Sequence, residues 1–91
     1  MCPKCQGFSE KMSLSSPHEL FDLVGQIHEI IAQGTIEFVE GNCSLDEIAP
    51  NKPWPADYIE CFFRCASCGH RFWLHVETYH GAGGAWEMLT E

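Results

Sequence analysis

Two hydrophobic periods follow one another along this chain. Leu20, Val24, Ile27 and Ile31 recur at helical spacing, and Phe21, His28 and Ile30 widen the stripe. Glu19, Asp22, Gln26, Glu29 and Gln33 fall mainly on the other side. That pattern predicts an amphipathic helix over 17–33 that buries one face. Its start is well marked: Ser16 can cap, Pro17 suits the first helical position, and Glu19 completes a capping box. Gly34 is a natural stop.

The period then drops to two. Thr35 to Glu40 is β-branched and aromatic and reads as a strand. In Tyr58 to Cys65, Ile59, Cys61 and Phe63 share one face, and Tyr58, Glu60, Phe62 and Arg64 the other. In Arg71 to Tyr79, Phe72, Leu74 and Val76 alternate against Arg71, Trp73, His75, Glu77 and Tyr79. After a turn at His80 to Gly84, Ala85 to Leu89 reads as a fourth, shorter strand. Residues 42–57 form a connection with one helical turn at Ser44 to Ile48. Pro50, Pro53 and Pro55 exclude regular structure around Trp54, which is expected to lie as a lid on the core. Residues 1–15 are polar after the first few positions, with Met12 and Leu14 as anchors. The expected fold is α+β: one amphipathic helix packed on a three- to four-stranded antiparallel sheet, in a single domain over residues 1–91.

Length and composition agree with that plan. The chain has 91 residues, 45% apolar and 20% charged, which is a globular balance. A core of this size is marginal alone, so a crosslink would matter to stability. No apolar run is long enough for a membrane span, and Met1-Cys2-Pro3-Lys4-Cys5 does not resemble a signal peptide. The expected compartment is therefore the cytoplasm, where thiols stay reduced.

The formal charge is −8, unevenly spread. Lys4, Arg64 and Arg71 adjoin cysteine pairs. Between residues 12 and 63 the only basic residue is Lys52, against Glu19, Asp22, Glu29, Glu37, Glu40, Asp46, Glu47, Asp57 and Glu60. Such a surface repels phosphate backbones and favours a basic partner, so nucleic acid and membrane are not the expected ligands.

Cys2-Pro3-Lys4-Cys5 and Cys65-Ala66-Ser67-Cys68 carry the most specific chemistry. Two cysteines three apart can hold one metal ion from a tight turn, and two such turns supply four thiolates, the ligand count of a closed structural zinc site. Buried reduced thiols, a redox pair and disulfides are the competing readings. Neither pair opens a helix after a strand, as a thioredoxin-like motif should. Gly69 supplies the positive φ that such a turn often needs. Residues 2–7 and 61–76 resemble the knuckle pair of a zinc ribbon, or rubredoxin-like, site. The resemblance implies tetrahedral coordination by Cys2, Cys5, Cys65 and Cys68. Zinc is the expected ion, with iron able to use the same ligands. Four thiolates and a divalent ion carry net negative charge, which Lys4, Arg64 and Arg71 can offset. The separation of the pairs exceeds that of simple four-cysteine sites, and loop closure tolerates this because its entropic cost rises slowly with length.

The other cysteines and the histidines have plainer readings. Cys61 reads as a core thiol, and Cys43 as a turn residue without a partner at ligand spacing. His70 is expected beside the knuckle, exposed or supporting a ligand. His75, Glu77 and His80 could form an acid–base set, but no nucleophile motif accompanies them, and the chain is not expected to be an enzyme. A closed four-sulfur site leaves no position for substrate. Function is then expected on the surface, where one sheet face would present Tyr58, Phe62, Trp73, His75 and Tyr79 to a basic protein. The ending Glu77-Thr78-Tyr79-His80-Gly81-Ala82-Gly83-Gly84-Ala85-Trp86 resembles that of small bacterial zinc-ribbon proteins. An immunity or inhibitor protein against a basic toxin or nuclease is the expected class. A nucleic-acid-associated zinc-ribbon accessory or regulatory protein is the alternative, and it would call for a basic stripe.

Overall fold

The computed structural model describes residues 7, 8, 10–79 and 83–89. Ser16 caps the helix α1 (Pro17–Ala32), its side chain accepting from the Glu19 N–H at 3.3 Å. The Glu19 carboxylate accepts from the Ser15 hydroxyl at 2.7 Å, so the reciprocal arm of the box goes to a neighbouring side chain. Leu20, Leu23, Val24 and Ile27 are the helix residues that become buried. Leu23 therefore belongs to the stripe. His28 does not: it stays half-exposed, 3.6 Å from the Asp46 carboxylate.

The strands are β1 (Met12–Leu14), β2 (Ile36–Gly41), β3 (Tyr58–Cys65), β4 (Arg71–Glu77) and β5 (Gly83–Met88). They form one five-stranded sheet in the order β1-β5-β4-β3-β2, with every pair antiparallel. The fold class is thus α+β, and the expected three to four strands become five. The additional strand is β1, which pairs Met12, Ser13 and Leu14 with Trp86, Ala85 and Gly84. Three residues are too few for an alternation to stand out from a polar segment. The strand β5 also starts two residues earlier than its sequence suggests. Gly84 reads as part of a turn, but a Cβ there would press on the His75 carbonyl and the Val76 Cα. The glycine permits close strand approach inside the sheet.

The core lies between α1 and one face of the sheet. Ile59, Cys61, Phe63 and Cys65 of β3 and Phe72, Leu74 and Val76 of β4 meet the helix, joined by Trp86, Ile36 and Leu14. The predicted alternation of β3 and β4 is the one observed. Trp86 is stacked on Phe72, with centroids 5.3 Å apart and planes 11° off parallel, and its indole N–H donates to the Phe8 carbonyl at 2.9 Å. Residues 42–57 cross on the helix side. Leu45 and Ile48 enter the core around a short 3-10 turn, Leu45–Glu47, that stands where the helical turn was expected. Trp54 stacks on Phe21 at 5.7 Å and remains 37% exposed, so it covers the flank of the helix more than the core itself. The edge strand β2 shifts register between Phe38 and Glu40, a bulge of the kind that discourages pairing with other chains. No described helix is long and apolar enough to cross a membrane.

Candidate functional site

Two places collect the residues singled out from the sequence. The first is the turn between β3 and β4. The Cys65 N–H donates to the His70 carbonyl at 2.8 Å, and the Gly69 N–H donates back to the Cys65 carbonyl at 2.9 Å. Gly69 has φ 77°, a backbone conformation that side chains oppose. These contacts close the C-x-x-C segment into a knuckle, and the Ala66 N–H ties it to the Thr35 carbonyl behind α1 at 3.0 Å. Cys65 is buried at the end of the core, and Cys68 is exposed at the tip. His70 is half-buried, its ring 6.3 Å from Phe72. Cys2, Cys5 and Lys4 lie outside the described residues, and no group of three or more metal-ligating side chains occurs among the described ones.

The second place is the sheet face opposite α1. Cross-strand pairing sets its side chains in rows. Nearest the knuckle stand Glu37, Arg64 and Arg71; then Glu40, Phe62, Trp73 and Glu87; then Glu60, His75, Ala85 and Ser13; and last Tyr58, Glu77 and Gly83. The centre of the face is aromatic. Phe62 and Trp73 lie 4° from parallel at 6.3 Å, and the His75 ring is 4.0 Å from the Trp73 ring. Carboxylates hold the cluster on both sides. The Trp73 indole N–H donates to Glu60 Oε2 at 3.1 Å, and His75 Nε2 is 2.6 Å from Glu87 Oε2. Lys11 Nζ reaches the other Glu87 oxygen at 3.9 Å. Arg64 donates through Nε to Glu37 Oε1 at 2.7 Å, and its terminal nitrogen bonds the same oxygen. Burial and then the Glu60 charge push the Tyr58 phenol above its usual range.

The face therefore brings together Phe62, Trp73 and His75, with Tyr58 half-exposed one row away. Tyr79 stands beyond the end of β4 and is 72% exposed, outside the paired rows. Of the acid–base set read from the sequence, His75 lies beside Glu87, Glu77 stands opposite Tyr58 in the β3–β4 register, and His80 lies outside the described residues. Glu87 is the residue that sequence reasoning missed. Its position opposite Trp73 depends on the register of β5, which a glycine-rich start conceals. Among the described residues, the paired rows hold five carboxylates and two guanidiniums, Arg64 being paired with Glu37, and Lys11 reaches the face at Glu87. α1, the 3-10 turn and Trp54 all lie on the other side. No family model matches this chain, and neither a curated protein nor a solved structure is significantly similar to it.

Proposed function

We propose that this protein is a small acidic interaction module of the immunity or inhibitor type, which docks a basic protein on the open sheet face. The observation that carries this reading is the aromatic cluster Phe62–Trp73–His75, rimmed by Glu40, Glu60, Glu77 and Glu87. Half-buried aromatics fixed by hydrogen bonds lose little entropy on binding, which suits them as anchors. Surrounding carboxylates speed encounter with a cationic surface and reject anionic ones. Tyr58 and Tyr79 extend the apolar area at the far end, where Arg64 and Arg71 are absent.

In this reading a zinc ion held by Cys2, Cys5, Cys65 and Cys68 clasps the N-terminus to the β3–β4 turn. The knuckle formed by Cys65, Cys68 and Gly69 fits such a site, with Cys68 facing outward and Gly69 in the required conformation. The Phe8 carbonyl is fixed by Trp86, and the Phe8 ring packs 5.3 Å from Phe72. A divalent ion with four thiolates supplies folding energy and no chemistry, because it leaves no open coordination position. Iron would fit the same ligands, and metal analysis of the purified protein distinguishes the two.

The test is affinity capture with the native chain, a Trp73→Ser variant and a Glu60→Lys/Glu87→Lys variant in parallel. A stoichiometric basic protein that binds at least tenfold more weakly to both variants, and more weakly at high salt, supports the reading. Capture of nucleic acid instead, released by the Arg71→Glu change, would favour the nucleic-acid-associated alternative. A basic partner retained equally by all three forms would remove the sheet face from the proposal.

A further inference from the structure

We infer that Cys43 and Cys61 form a second, separate cysteine site: a dithiol that hydrogen peroxide closes to a disulfide, sealing the 42–57 connection onto β3. Neither residue belongs to a C-x-x-C pair, and the sequence separates them by a proline-rich loop. In the fold they meet. Gly41 is the last residue of β2 and pairs with Cys61, which places Cys43 just past the sheet edge. The Cys61 thiol donates to the Cys43 carbonyl at 3.7 Å, which sets the two residues side by side. The missing side chain at Gly41 makes room for this, since a Cβ there would stand 3.0 Å from Cys61 Sγ. Asn42 fixes the intervening backbone, donating to the Tyr58 carbonyl at 2.6 Å and accepting from the Glu60 N–H at 3.0 Å. Cysteines on neighbouring backbone segments can bond through side-chain rotation, whereas thiols set further apart need backbone movement.

Exposure assigns the roles. Cys61 is fully buried, and Cys43 is only partly buried at the margin of the core. Cys43 is the thiol that peroxide can reach. Its thiolate attacks the O–O bond, giving a Cys43 sulfenic acid, with the second peroxide oxygen leaving as water after protonation. The Cys61 sulfur then attacks the Cys43 sulfur and loses its proton, and the sulfenic oxygen leaves as the second water. Two thiols are oxidised by two electrons to one disulfide, and one peroxide is reduced to two waters. Burial raises both thiol pKa values; at Cys43 the neighbouring Cys61 opposes this and Glu47 adds to it, and at Cys61 both Cys43 and Glu60 add to it. The pair therefore stays reduced under mild conditions and closes slowly, faster as pH rises.

The experiment treats the intact chain with hydrogen peroxide and maps cysteine linkages under non-reducing conditions, with metal content followed in parallel. The expected product is a Cys43–Cys61 link, with any bound metal retained until after it forms. Closing this loop should raise Tm by roughly 10–25 °C for a domain of this size. The initial rate should rise close to tenfold from pH 7 to pH 8, following the thiolate fraction of Cys43. Cys43→Ser, a near-isosteric change at a partly buried turn position, should fold normally and abolish both the link and the Tm shift. Preferential linkage of Cys65 or Cys68, progression of Cys43 to sulfinic acid with no link to Cys61, or a pH-independent rate would each overturn the site. The Cys61→Ala variant should leave Cys43 as a sulfenic acid trappable by a dimedone-type probe, and absence of that adduct would equally count against it.

Discussion

At the scale of single residues, the most telling group is the Cys61 thiol, pushed up to about 12 from an ordinary 9.0, chiefly by burial and then by Cys43 and Glu60. The sign of its effect on stability follows from proton counts. Above pH 9 the unfolded chain loses this proton while the folded chain keeps it, so the unfolded state binds fewer protons. Stability is then complete below pH 9 and declines as pH climbs towards 12. The slope reaches at most about 1.4 kcal/mol per pH unit for one group. Denaturant unfolding under reducing conditions between pH 8 and 11 should show that decline, and Cys61→Ala should flatten it while lowering stability at every pH. An unchanged slope in the variant would mean that other groups set the alkaline limit. The β3 alternation assigns the face of Cys61 correctly, but the contact with Cys43 is made through the end of β2, some 18 residues away in the chain.

Elements were legible to the extent that their period was long enough to repeat. α1 shows this best, because sixteen residues carry four turns of pattern, a cap and a stop. Its face was nevertheless drawn slightly off centre. Leu23 is 4% exposed and packed, whereas His28 points to Asp46 across solvent. A ring nitrogen counts as apolar in a stripe only until a carboxylate is found beside it. Leu23→Ala should therefore cost about 2–4 kcal/mol through a lost contact and a cavity, and His28→Ala should stay within roughly 0.5 kcal/mol. Chemical denaturation of the two variants, compared at equal m-value, decides between the observed face and the one drawn from periodicity. The sheet divides the same way. β3 and β4 alternate over eight and seven residues and were read with the correct inward and outward sets. β1 has three residues, too few to fix its existence, and β5, though expected as a strand, opens on two glycines that conceal its start and register. Since Glu87 and Ser13 reach the open face only through that register, part of the candidate surface was out of reach of sequence reasoning.

The whole molecule joins two kinds of organisation whose contributions are separable. A helix and one sheet face share a continuous core of buried residues, from Leu14 and Trp86 through Phe72 and Phe63 to Ile36. The knuckle sits at one end of that core, where Cys65 closes β3 and Ala66 is tied to the residue following α1's stop. A metal bound there by four thiolates would link three things at once: the N-terminus, the β3–β4 turn and, through Thr35, the back of the helix. In a domain with only a few kcal/mol of net stability, losing that link should exceed what the core alone supplies. Chelation of the purified protein, or Cys68→Ser, should therefore remove most of the helical circular-dichroism signal. Cys43→Ser should not, because Cys43 lies outside the clasp. Acid should act like the chelator, since protonating the ligand thiolates expels the metal, and metal release and unfolding should coincide as pH falls. If the chelated chain kept its full helix signal and thermal stability, the helix-on-sheet core would be sufficient alone. The knuckle would then be a well-formed turn whose cysteines serve some other purpose.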